Sequence, residues 1–264
     1  MLKEIIMKIL LKFIGKYREE GELVKNCNLK SDLPDDRDYV VVIEEDDKPA
    51  LLASVLPIVP TDYVKSQGTW GSCASHAMCT ALEISFDINN TNLNIPLSER
   101  HHYYNARQSK YMDTFPGDSG MYARMMLQVV KDIGVSPEKL CPYISNEMNT
   151  KPGQLADGFA NLWKIDGYYR VYDLGTMKTL IRKGFPILVG FMVNSSFYRN
   201  TGPIDTENSK IYGGHEVVIY GFDDINKELL CINSCGTNYK DNGCMKVPYK
   251  YFEKFGIDMW IFNI

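Results

Sequence analysis

Three segments of this 264-residue chain carry residue types that together suit sulfur-based acyl chemistry. Cys73 closes a Gly-rich run, Gln67-Gly68-Thr69-Trp70-Gly71-Ser72-Cys73, and Ala74 to Phe86 then favours helix. Gly68 and Gly71 allow the backbone to turn tightly, Ser72 has the side chain of an N-cap, and Cys73 is thereby expected to open the helix. Unpaired N–H groups and the positive end of the dipole stabilise a thiolate there and lower its pKa. Alone, Cys73 reads more readily as a small buried apolar side chain than as a nucleophile. Two later segments weigh against that: Gly213-Gly214-His215-Glu216, which places a histidine at the mouth of a β-branched strand, and Cys231-Ile232-Asn233-Ser234, a strand ending in an asparagine. A histidine can take the thiol proton and return it to a leaving group.

In this order the segments resemble the papain family of cysteine peptidases, whose members carry Cys in a Gly-rich turn with His and Asn roughly 130–150 residues downstream. His215 follows Cys73 by 142 residues and Asn233 follows it by 160, a slightly long offset. Leu97-Ser98-Glu99, Asp118-Ser119-Gly120, Asp132-Ile133-Gly134-Val135, Cys141-Pro142-Tyr143 and Asp241-Asn242-Gly243 extend the similarity over about residues 51–264, closest to compact bacterial and viral members. The resemblance implies an α+β fold, a helical subdomain (about 67–165) packed against an antiparallel β-barrel-like subdomain (about 166–264), with a cleft between them. It implies a Cys73 thiolate paired with a His215 imidazolium, Asn233 on the other imidazole nitrogen, and Gln67 with the Cys73 N–H as oxyanion donors. Ser119, Gly120, Gly213 and Gly214 become candidate contacts to an extended peptide; the turn before Gly120 reads equally as a cap, with Asp118 or Ser119 as N-cap. Two departures stand out. Ala74 replaces an aromatic that often follows the nucleophile, and Cys235 replaces the Trp after Asn-Ser, which is expected to leave His215 more exposed and activity lower.

These residues need elements to hold them. Hydrophobic content of 45% and charged content of 23% are those of a globular protein with a real core, and a net charge of −4 gives no footprint for nucleic acid. Helices are expected at Ala74–Phe86, Leu97–Lys110, Tyr122–Lys131 (ended by Gly134) and Leu174–Lys183. Strands are expected at Pro186–Val193, Glu216–Phe222, Glu228–Ile232 and Cys244–Val247. Helices first and strands later place Cys73 on one side of a cleft and His215 with Asn233 on the other. His76, one turn past Cys73, points along its helix, and His101 and His102 read as structural.

Seven scattered cysteines lack paired spacing, so free thiols and a reducing, intracellular compartment are expected. No cofactor or metal site is expected: Cys73, His76 and Cys79 lack a fourth ligand. Residues 1–50 form an N-terminal extension. Leu2, Ile5, Ile6, Ile9, Leu10 and Phe13 oppose Lys8, Lys12 and Lys16 on an amphipathic helix that suits packing on the domain or peripheral membrane contact, and is too broken for a signal peptide. Tyr39–Ile43 reads as a strand and Glu44–Asp47 as a solvated loop. Whether this extension is an inhibitory pro-segment is open. The expected partner is a peptide or protein substrate bound by a monomer. A non-catalytic peptide-binding relative, and an acyltransferase or deamidase using the same Cys-His-Asn set, are the alternatives.

Overall fold

The computed structural model describes residues 27–42, 53–89, 95–108, 110–199, 202–207 and 210–264. The expected helix at 1–16, the run Glu44–Asp47 and Ile43 lie outside the described residues. In chain order the elements are β1 (Leu29–Lys30), β2 (Ala53–Val55), α1 (Cys73–Ile88), α2 (Glu99–Ala106), β3 (Met121–Tyr122), α3 (Ala123–Asp132), α4 (Gln154–Ala160), β4 (Gly167–Arg170), α5 (Leu174–Arg182), β5 (Ile187–Asn194), β6 (Ile211–Asp223), β7 (Glu228–Ile232), β8 (Cys244–Pro248), α6 (Tyr249–Phe255) and β9 (Gly256–Asn263).

Helices dominate the first half for local reasons. α1 is a run of small and apolar side chains buried almost all round from Cys73 to Leu82, so it forms the central rod against which α2 and α3 pack. Ser98 caps α2 by accepting the His101 N–H at 3.0 Å. α3 buries Met126, Leu127, Val129 and Val130 on one face and ends at Gly134, which takes φ +87° where a side chain would strike the Ala160 carbonyl. Its N-cap position falls on Tyr122 with no side-chain bond, so neither Asp118 nor Ser119 caps it. Lys65, half-buried between α1 and α2, bonds Glu83 (2.5 Å) and Glu99, and so fixes the approach to the Cys73 turn. Burial opposes the ammonium, but the two carboxylates outweigh it and raise its pKa.

The second half is a sheet of order β3-β1-β6-β5-β9-β4, with β2 and β7 pairing on β6 and β8 on β7. Neighbours are antiparallel except for β1 beside β3. The sheet branches around the 13-residue β6 and its hydrogen bonding does not close into a barrel. The expected strand Tyr39–Ile43 shrinks to a bridge between Val40 and Arg170. Strand β1 is wedged between β3, from the helical half, and β6, from the β half, so residues 27–30 run through the seam where the halves meet. Among the described residues, no helix is long and apolar enough to cross a membrane, and no group of three or more His, Cys, Asp or Glu side chains could hold a metal.

Candidate active site

Cys73 is the first residue of α1, as expected, and α1 packs directly on β6. The backbone N–H groups of Glu216 and Ala74 act on the Cys73 sulfur and lower its pKa, which sets it beside the peptide unit following His215. Ser72 stands at the N-cap position but makes no side-chain cap: its hydroxyl instead meets Tyr143 Oη at 2.8 Å and His76 Nδ1 at 3.4 Å. The Gly-rich turn is braced by a residue that pattern reading assigned to another turn. Asp118 accepts the Gly71 N–H at 2.9 and 3.0 Å and the Tyr103 hydroxyl at 2.6 Å.

His215 is the fifth residue of β6 rather than at its mouth, because the strand begins at Ile211. Its Nε2 lies 2.8 Å from Asn233 Oδ1, an oxygen that also accepts the Ser234 N–H. An oxygen there requires the proton on Nε2, which leaves Nδ1 a bare acceptor. Gln67 belongs to the same cluster: its N–H donates to the Ser234 carbonyl (2.9 Å), its Oε1 accepts the Ser234 hydroxyl (2.6 Å), and its Nε2 donates to the Trp70 carbonyl (2.8 Å). A bridge between Ser66 and Cys235 ties these loops across the seam. Cys73, His215, Asn233 and Gln67 thus converge. His101 and His102 are structural, bonded to Asp157 and to Ser75 and Met126. His76 turns its Nδ1 back to the Ser72 carbonyl.

Substitution of the expected Trp by Cys235 does not expose the imidazole. His215 is fully buried, with Phe197 edge-on at 4.9 Å and its loop held by Tyr239 Oη donating to the Phe197 carbonyl. The other cover is Cys27, whose sulfur lies 3.6 Å from His215 Nδ1. Given the tautomer, the Cys27 thiol donates and occupies the nitrogen that a nucleophile would need.

Cys27 belongs to an extended strap that fills the groove. A side chain at Gly120 would come within 1.8 Å of the Asn28 carbonyl oxygen, at Gly213 within 2.0 Å of that of Cys27, and at Gly214 within 2.3 Å of that of Leu29. Three of the four expected peptide contacts are therefore glycines because backbone lies on them. The fourth, Ser119, keeps its hydroxyl buried without a partner. Farther along, Arg124 clamps the strap: it pairs with Asp38 at 2.7 Å, with Asp32 at 3.5 Å and with the Leu33 carbonyl at 2.9 Å. The Asp32 N–H donates to Asp258 at 3.0 Å.

Burial opposes the expected electrostatics. Burial pushes the Cys73 thiol up to about 12 and the Cys27 thiol up to about 11, and pushes the His215 imidazole down to about 4. In the strapped state burial thus favours the uncharged thiol and the uncharged imidazole over the expected thiolate–imidazolium pair. The helix terminus favours an anion, but burial of the sulfur opposes it and is the larger effect.

Comparison with known proteins agrees with this fold. The profile of the papain family cysteine proteases matches residues 59–262. An uncharacterized peptidase C1-like protein of Acanthamoeba polyphaga mimivirus is 30% identical over 213 residues, which cover 74% of this chain and 68% of that one. The crystal structure of xylellain, a cysteine protease from Xylella fastidiosa, superposes with a TM-score of 0.81 at 26% identity over 95% of this chain and 98% of that one. The fold also matches proCathepsin B S9 from Trypanosoma congolense, with a TM-score of 0.70 at 11% identity over 89% and 86% of the two chains.

Proposed function

The chain belongs to the papain family of cysteine proteases, and from that premise we propose that it is a peptidase, held latent by its own residues 27–42. One observation carries this assignment: extended polypeptide lies across Gly120, Gly213 and Gly214 with a sulfur on His215 Nδ1, so the groove has the shape of a peptide. Once the strap leaves, Nδ1 is released to the Cys73 thiol. The proton passes from sulfur to Nδ1 and the sulfur attacks the substrate carbonyl carbon. Asn233 keeps the imidazolium oriented through Nε2. The oxyanion is held by the Cys73 N–H and by Gln67 Nε2, the latter turning from the Trp70 carbonyl; loss of one such donor costs about 3 kcal/mol in the transition state. The imidazolium then protonates the leaving amine, and as a neutral base activates the water that frees the acid. Seven free thiols support action in a reducing compartment on an extended peptide or protein segment.

The test is a peptide library offered with and without amine acceptors, alongside labelling by a peptide chloromethylketone. Hydrolysis products, with the adduct mapped to Cys73 and both abolished by Cys73→Ala, are expected. Amide exchange or ammonia loss alone would assign the site to acyl transfer or deamidation, and binding without turnover would make the protein a peptide receptor.

A further inference from the structure

Strand β6 carries an acid with no task in the chemistry above. Glu216, next to His215, is 1% exposed, and neither carboxylate oxygen has a hydrogen-bond partner. A buried carboxylate without a donor is rare in a folded protein and asks for a ligand. Its surroundings deepen the anomaly: among the described residues, the charges acting on it are those of Asp258 and Asp32, both acidic, and burial holds its pKa well above the usual range. The nearby cations are engaged elsewhere, Arg170 with Asp258 and Asp38, and Arg124 with Asp38 and Asp32.

The carboxylate faces a pocket in the groove. Gly190 on β5 pairs directly with Glu216 and, lacking a side chain, leaves a hollow above the sheet. The point where a Gly190 Cβ would stand is 2.6 Å from Leu29 Cδ2, 3.2 Å from Glu216 Oε2 and 3.5 Å from Ile257 Cβ. Leu29 of the strap therefore plugs a hollow walled by Ile257 on one side and by the unpartnered carboxylate on the other. An isobutyl group fills the apolar part and offers nothing to the oxygens.

We propose that Glu216 is the specificity-determining residue of this groove and makes the Leu29 pocket a receptor for a lysine or arginine side chain of the bound peptide. The aliphatic stem of such a side chain covers Ile257 and Gly190 as Leu29 does, and its longer reach delivers N–H donors to Glu216. Departure of the strap takes Asp32 away and leaves Glu216 free to pair with the incoming cation. The inference rests on the groove being a peptide site, as proposed above, yet it concerns binding rather than bond cleavage.

The strap itself serves as the probe, in the full chain. Leu29→Lys and Leu29→Met are each made alone and combined with Glu216→Gln, and strap opening is read from the alkylation rate of Cys73, with Cys79 and Cys231 as internal controls for global unfolding. Leu29→Lys is expected to slow Cys73 alkylation about tenfold relative to Leu29→Met, as one buried charge-assisted contact allows, and Glu216→Gln is expected to remove that advantage. Equal rates for Leu29→Lys and Leu29→Met, or a difference that survives Glu216→Gln, overturn the proposal. A parallel assay of peptides bearing Arg or Leu at each position near the cleavage point separates the two claims. Coupling without hydrolysis keeps the receptor and removes the peptidase; hydrolysis with no Arg preference and no coupling does the reverse.

Discussion

Replacing Leu29 by alanine should open the active site without unfolding the protein. Leu29 is 6% exposed, and its side chain is the strap's largest apolar contribution within the groove. Burying such a side chain contributes about 1.5–3 kcal/mol, and alanine retains only part of this, so a loss of about 2 kcal/mol is expected. At about 1.4 kcal/mol per tenfold change, the open population rises roughly thirtyfold. The pairing of Leu29 with Met121 and Gly214 is made by backbone and survives the substitution, as do the Asp32 and Asp38 clamps. The readout is alkylation by a small haloacetamide, quenched over time and mapped by peptide mass. Cys27 and Cys73 should accelerate together by roughly thirtyfold, whereas Cys79, Cys141 and Cys231, all fully buried in the body of the fold, should not change. Uniform acceleration at all five positions would mean that the side chain stabilises the whole domain rather than the strap. Unchanged alkylation at Cys73, or a wild-type rate already equal to that of a free thiol, would refute the claim that the strap gates the nucleophile.

The same gate should respond to pH. Burial raises Asp32 to about 6 from an ordinary 3.8, so its contribution to strap docking is fully present below about pH 3.8 and is lost as the pH rises through about 6, whereas the buried His215, held down to about 4 from 6.5, works in the opposite sense; the ratio of Cys73 alkylation rates, this chain over its Asp32→Asn variant, isolates the carboxyl and should climb over that window. Gly214→Ala sets a methyl group 2.3 Å from the Leu29 carbonyl oxygen without backbone strain; it should speed alkylation of Cys73 and still abolish peptide turnover, because substrate meets the same methyl. Asn233→Ala removes the acceptor on His215 Nε2 and should lower kcat/KM roughly 10–100-fold, as expected for a hydrogen bond to a charged group, with little change in Tm. Lys65→Met leaves Glu83 and Glu99 buried without their cation, and calorimetry should show a loss of about 3–5 kcal/mol.

What could be read along the chain was what local chemistry determines. Cys73 begins α1 because a Gly-rich turn meets a run of small helix formers, and His215 and Asn233 were legible because residue type and order carry the information. The α+β division followed from the shift in hydrophobic period, although β4, β9, α4 and α6 were too short or too mixed to stand out. The charge state of the site was not legible. The helix terminus argues for a thiolate, and that local argument is opposed by burial of the sulfur and by Cys27, which a distant segment brings beside the site. Leu29–Lys30 has no periodicity to announce it; it exists only because β3 and β6 offer it edges. Phe197 likewise replaces the missing Trp from a loop 36 residues before Asn233, a substitution in space that no adjacent motif records. The glycines give the connection between these two levels. Gly120, Gly213 and Gly214 are demanded by any extended backbone over the cleft, the strap's or a substrate's. The inhibitor and the substrate therefore compete for one surface, and any change that loosens the strap through the groove's own backbone must weaken substrate as well, whereas changes in Leu29 or Asp38 loosen the strap alone.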